Sequence, residues 1–182
     1  EGNIVADGKP SDVIAEYNSR VFKDEQNRLL HQYSPDLPIL SGTGEVQVSS
    51  VSMKDDNGKE TNGFYTGKPV TIDIDYRCFL KSDTKVTLSV GLLRSKEHDY
   101  IGIFNSNFTK DGNYLTEDLV KLTEQGTIRV NFEQLLLKTS DYSLWIIIQK
   151  EGKFLCEYKG VNAFFVSRVD DISDRDGFYM QP

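Results

Sequence analysis

The sequence predicts an all-β protein: an antiparallel, immunoglobulin-like β-sandwich of about eight strands, preceded by one amphipathic helix. Three observations carry that expectation. From Glu45 onward, apolar residues recur with period two. The runs are rich in Val, Ile, Phe, Tyr and Thr. Turn clusters separate them at short intervals, with no long helical pattern between.

The elements follow in chain order. Asn3-Ile4-Val5-Ala6 reads as a short apolar strand and Asp7-Gly8 as a turn. Pro10 suits the first position of a helix, where its missing N–H costs nothing. Asp12 falls in the first turn, favourable against the helix dipole. Val13, Ile14, Tyr17 and Val21 share one helical face, which needs a partner surface. The polar run Asp24–Arg28 changes the character of the chain, and Pro35, Pro38, Gly42 and Gly44 then punctuate it. The expected organisation is a strand-and-helix unit at 1–30, a linker at 31–44, the sandwich at 45–169 and a tail at 170–182.

Within the sandwich the expected strands are 45–54, 68–79, 85–94, 100–108, 126–133, 142–150, 153–158 and 162–168. The segment 114–124 reads as a short helix or a loop. The tail is polar except for Phe178-Tyr179-Met180, which is expected to dock on the sandwich or on a second copy.

Alternation assigns the faces. Val70, Ile72, Ile74, Tyr76 and Cys78 share one side; Asp73, Asp75, Arg77 and Phe79 share the other. Val86, Leu88, Val90 and Leu92 point to the core, as do Leu144, Ile146 and Ile148. Ser143, Trp145, Ile147 and Gln149 then face away, so the one Trp falls in phase with polar groups.

The chain has 182 residues, with 21 Lys+Arg against 28 Asp+Glu, and a net charge of −7. That balance argues against a nucleic-acid partner, whose binding rests on phosphate neutralisation. It argues equally against docking on anionic lipid through a polybasic patch. Cys78 and Cys156 are too few for a disulfide framework and sit in apolar runs, as reduced core thiols do. No apolar run approaches a membrane span, and no secretory signal opens the chain. The start at Glu1, inside a strand-like stretch, is expected of a piece of a longer protein.

Motifs for catalysis fail one by one. Gly67-Lys68 and Gly58-Lys59 lack the spacing and the Ser/Thr of a phosphate loop. His31 and His98 have no His or Cys at metal spacing. An EF-hand frame laid on Asn107–Asp118 lacks the early acids and the final Glu. Asp73 and Asp75 lie at i, i+2 on one face, a spacing open to glycoside acid–base chemistry. The simpler reading is a solvated face with Arg77 as their partner.

A sheet face with one aromatic ring among amides, carboxylates and Arg is a plausible sugar-binding surface. The C–H face of a pyranose stacks on the ring, and its hydroxyls need paired polar groups. The candidate residues are Trp145, Arg77, Asp75, Asp73 and Gln149. An acidic polymer would need a basic patch, for which Arg77, Arg94 and Arg129 are candidates.

The segment Gly2-Asn3-Ile4-Val5-Ala6-Asp7-Gly8-Lys9-Pro10, continued by Ser11-Asp12-Val13-Ile14-Ala15-Glu16-Tyr17, resembles the end of an ABC-transporter nucleotide-binding domain. It is most similar to the subfamily that exports bacterial polysaccharides. Gly44-Glu45-Val46-x-Val48, Thr66-Gly67-Lys68-Pro69-Val70-x-Ile72-x-Ile74-x-Tyr76, Ile103-Phe104-Asn105-Ser106 and Ala163-Phe164-Phe165-Val166 resemble the carbohydrate-binding C-terminal domains of the Wzt family. These belong to the ATPase subunits of O-antigen ABC exporters. Leu40-Ser41-Gly42-Thr43-Gly44 is similar to the ABC signature stretch, but it lies in the linker and precedes no evident helix.

The resemblance implies a non-catalytic module. It would bind the finished O-antigen polysaccharide at its modified non-reducing end, in the cytoplasm at the inner face of the inner membrane. Its partners would be the parent nucleotide-binding domain, the membrane-spanning exporter subunit and a second copy, with terminal strand exchange one route to the dimer. No cofactor is implied for this chain; ATP and Mg belong to the parent ATPase domain. The alternative reading is an assembly module that dimerises the motor without touching sugar.

Overall fold

The period-two runs become strands because each can bury one side and solvate the other. In the computed structural model, residues 7–32, 40–81, 83–94, 99–108, 113, 115 and 119–168 are described. The strands are β1 (Val46–Lys54), β2 (Gly63–Tyr65), β3 (Val70–Cys78), β4 (Thr84–Arg94) and β5 (Asp99–Asn105). They continue with β6 (Val120–Leu122), β7 (Gln125–Phe132), β8 (Ser140–Lys150) and β9 (Lys153–Ser167).

They form two sheets. One is three-stranded, in the order β1-β3-β7; the other runs β2-β9-β8-β4-β5, with β6 paired to β4. Both sheets send their apolar positions into one core. Val48, Met53, Ile72, Ile74 and Val130 come from the first sheet; Leu88, Val90, Leu144, Ile146, Cys156 and Phe164 come from the second. The faces predicted for β3, β4 and β8 are the faces observed. Across the core, the Tyr158 hydroxyl on β9 accepts the Val48 N–H at 3.1 Å. Val48 stands where the β1–β3 register shifts, so its N–H is one that a bulge takes out of the regular ladder.

Several elements depart from expectation. The two strands expected at 153–158 and 162–168 are one strand, β9. Positive φ at Gly160 (77°) and Asn162 (50°) keeps it bent where an interruption was expected. Strand β6 occupies part of the segment read as helix or loop. Strand β2 was not expected, and it pairs with β9 in parallel in an otherwise antiparallel sandwich.

Helix α1 (Pro10–Gln32) runs through the polar stretch that was expected to end it. It docks through Phe22, whose ring stacks on Tyr65 at 4.7 Å and lies 6.1 Å from Phe165. The anticipated contact face is used only in part: Val13 and Val21 are half-buried, whereas Ile14 is 55% and Tyr17 66% exposed. Phe22 lies about 100° around the helix from Val21.

The last part of the expected linker belongs to the sandwich. The Leu40 N–H donates to Glu157 O at 2.8 Å, and the Glu157 N–H donates to Ser41 O at 2.9 Å. Gly44 N–H donates to Leu155 O at 3.0 Å. Residues 40–44 thereby cover the edge of β9 that β2 leaves open. Cys78 and Cys156 are free and buried. Burial pushes the Cys156 thiol up to about 12, so it stays protonated.

Among the described residues, no helix is long and apolar enough to cross a membrane. The strand expected at Asn3–Ala6, His98 and the tail with Phe178-Tyr179-Met180 lie outside the described residues.

Candidate functional site

The two outer faces of the sandwich carry different chemistry. On the three-stranded sheet, Asp73 is 6% exposed despite its outward position. Its carboxylate accepts from Arg129 Nε at 2.6 Å and Nη2 at 3.0 Å, and from Lys54 Nζ at 2.6 Å. The Arg129 hydrogen bonds, with those of Lys54, hold its pKa down at about 2. Asp75 accepts from Ser50 Oγ and Thr127 Oγ1, each at 2.5 Å, which also lowers its pKa.

The partner expected for these carboxylates, Arg77, is not the one observed. Register explains it: β7 places Arg129 directly across from Asp73 and Thr127 across from Asp75. Arg77 lies four residues along the same strand from Asp73, about 13 Å away at the usual strand rise. Both carboxylates stay ionised at neutral pH, so neither supplies the protonated acid that glycoside cleavage requires.

Trp145 and Gln149 stand on the outer face of the other sheet, across the core from Asp73, Asp75 and Arg77. The five candidate residues therefore do not form one site. Alternation tells inward from outward on each strand, but not which sheet the strand joins. The basic patch does not assemble either. Arg129 is neutralised by Asp73, and Arg94 ends β4 on the other sheet.

Around Trp145 the structure builds a platform. Its Cα partner on β4 is Gly91, where an added Cβ would lie 3.2 Å from Trp145 Cβ and 3.4 Å from Cε3. The missing side chain lets the indole lie down over the sheet. Tyr100 meets it edge-on, with centroids 6.3 Å apart and planes at 88°. Lys159 Nζ sits over the ring at 5.7 Å. Trp145 Nε1 donates to Glu157 Oε1 at 3.0 Å.

The indole is half-buried, while Tyr100 and the neighbouring Ile103 are 52% and 45% exposed. Burial still raises the Tyr100 phenol, which stays a neutral hydroxyl donor. The result is an aromatic surface with a cation and a phenol beside it, a combination that can stack on an apolar ring face and bond its polar edge. Tyr100, Glu157, Lys159 and Gly91 were not singled out from the sequence. Glu157 carried a readable signal, because it alternates with Cys156 and Tyr158 in the core. Among the described residues, no cluster of three or more His, Cys, Asp or Glu can hold a metal ion.

Comparison with known proteins bears on the family. The sequence model of the Wzt C-terminal domain matches residues 39–178. Among solved structures, a crystal structure of the C-terminal domain of Wzt is similar with a TM-score of 0.60 at 13% identity, covering 82% of this chain and 91% of that one. A putative β-galactosidase from Bacteroides fragilis gives a TM-score of 0.41 at 13% identity, covering 62% of this chain and 16% of that one. An immunoglobulin-like protein from Pseudomonas aeruginosa gives 0.33 at 12%, covering 69% and 99%. No curated protein sequence matches. The family match takes in all nine strands and the segment seated on β9, and the solved domain shares their arrangement; the chain belongs to the Wzt C-terminal domain family.

Proposed function

We propose that this chain is a non-catalytic module that binds O-antigen polysaccharide in the cytoplasm, through its modified non-reducing end, and couples it to ABC-transporter export. The observation that carries this reading is the Trp145 platform: a flat indole laid over Gly91, met edge-on by Tyr100 and with Lys159 Nζ over its ring. Of the candidate residues, Trp145 is assigned to the site; Gln149 shares its sheet face four residues along β8. Asp73, Asp75 and Arg77 are assigned to the opposite face, where Asp73 and Asp75 satisfy each hydrogen bond locally. The proposed partners are the polysaccharide, the parent ATPase domain with its membrane-spanning subunit, and a second copy of the chain.

Titration calorimetry with the cognate O-antigen polysaccharide, capped and uncapped, tests the reading. Binding of the capped form with weaker or no binding of the uncapped one is expected. Silence with both overturns it. Trp145→Ala is expected to weaken binding about 5- to 150-fold, the loss that follows if stacking on the glycan matches the about 1–3 kcal/mol of aromatic stacking on a base. Unchanged affinity would place the site on another face.

An assembly role has one observation in its favour. Ile14 and Tyr17 on α1 are exposed at 55% and 66%, an apolar pair on the helix that resembles the end of a motor domain. Light scattering coupled to size exclusion measures whether copies associate; loss of association in an Ile14→Glu variant would tie it to that helix.

A further inference from the structure

The side chain that orients Trp145 is itself held by the segment that enters the sandwich. Glu157 accepts the indole N–H through Oε1 at 3.0 Å. Its other carboxylate oxygen, Oε2, accepts from Ser41 Oγ. The backbone of Glu157 is fixed by the same segment, with its N–H donated to Ser41 O and its carbonyl taken by the Leu40 N–H. Residues 40 and 41 thus restrain Glu157 at three points, and Glu157 restrains Trp145.

The seat of that segment is tight. Gly42 has φ +120°, and a Cβ there would lie 2.7 Å from Leu155 O and 2.8 Å from Cys156 Cα. Both are backbone atoms and cannot swing aside, so the segment lies flush on β9 because residue 42 has no side chain. On the far side, the benzo edge of the indole rests over Gly91. The ring is therefore held at one end by a hydrogen bond and at the other by packing.

We infer that Glu157 and Ser41 are positioning residues for the Trp145 platform, so that the segment joining the helix to the sandwich sets the pose of the indole. The inference rests on the reading of Trp145 as the glycan surface only for its effect on affinity; the positioning itself does not need a ligand. Two consequences follow for binding. The indole N–H is committed to Glu157, so the ring offers its π face, and hydroxyl recognition falls to the groups beside it. Any pull that lifts residues 40 and 41 from β9 also releases Glu157 and with it the ring.

The chain has one tryptophan, so fluorescence excited at the red edge of indole absorption, beyond that of its nine tyrosines, reports on Trp145 alone. Emission maximum, anisotropy and acrylamide quenching are measured on the full chain and on Ser41→Ala, Ser41→Thr, Glu157→Ala and Glu157→Gln. Ser41→Ala and Glu157→Ala are expected to red-shift the emission, raise quenching and lower anisotropy, with the far-UV circular dichroism melt unchanged. Ser41→Thr keeps the hydroxyl and Glu157→Gln keeps an acceptor oxygen, so both are expected to stay near wild type. Wild-type fluorescence in Ser41→Ala overturns the role of the entering segment, and wild-type fluorescence in Glu157→Ala overturns the inference altogether. Altered fluorescence combined with unchanged glycan affinity in Trp145→Ala supports the positioning and removes the site reading, so the two fail separately.

Discussion

A carboxylate that is 6% exposed on an outward-facing strand position survives only if its charge is met, and Asp73 is met twice. Asp73→Asn keeps the shape and removes the charge, leaving Arg129 and Lys54 with a weaker acceptor. A loss of about 1–2 kcal/mol at pH 7 is expected in urea unfolding, the modest figure reflecting the solvent exposure of Arg129. The pH dependence has a definite sign. The folded pKa lies near 2, below the ordinary value of 3.8. The contribution is therefore whole above about pH 4, and is lost as pH falls through the folded value toward 2. Wild type should lose stability over that window more steeply than Asp73→Asn; parallel curves would show that the pair contributes nothing. Tyr158→Phe tests a neutral bond in the core. It strands the buried Val48 N–H and should cost about 1–3 kcal/mol with no pH dependence across neutrality. Residue by residue, the sequence showed that Asp73 and Trp145 turn away from the core. It did not show their partners, because Arg129 arrives from a strand paired at long range and Glu157 from a hairpin partner whose register shifts repeatedly along its length.

Among the elements, α1 is the one whose attachment differs most from its sequence pattern. Of its period-3.6 face, Ile14 and Tyr17 are left outside while Val13 and Val21 are half-buried, and Phe22 from its later half packs on Tyr65 and Phe165. A helix lying on the outside of a sandwich opens more readily than the strands beneath it. Phe22→Ala should speed amide exchange along α1 while the protection of β8 and β4 stays as in wild type. Equal loss of protection in helix and sandwich would show that α1 is part of the cooperative unit. The strands with two clean faces, β3, β4 and β8, were legible because each carries four or more alternating apolar residues. Strand β2 was not, being three residues long and parallel to a partner a hundred positions away. The segment 40–44 looked like linker because its Gly residues read as punctuation. In the fold, Gly42 serves close backbone approach to β9, a demand that the same residue meets and the local sequence cannot distinguish.

The molecule as a whole is two sheets closed over one core, and its two cysteines sit one in each. Cys78 ends β3 at 5% exposure and Cys156 lies in β9 at 0%. Neither thiol is reachable in the native state, and Cys156, raised to about 12, has almost no thiolate at pH 8. Reaction with a thiol reagent must then pass through opening of the sandwich. At a stability of about 5 kcal/mol the open fraction is near 10⁻⁴, so labelling in water should be slower than that of a free thiol by about that factor. Interleaved packing of Ile72, Ile74, Leu144 and Ile146, with Tyr158 bonded across to Val48, leaves neither sheet a core of its own. Both cysteines should therefore acquire label together as urea rises, at the midpoint seen by circular dichroism, with mass spectrometry of the digested protein assigning each site. Labelling of Cys78 at lower urea than Cys156 would mean that the three-stranded sheet, with its Asp73 ladder, peels from the sheet that carries Trp145. In that case the two outer faces, already distinct in chemistry, would be distinct in stability as well.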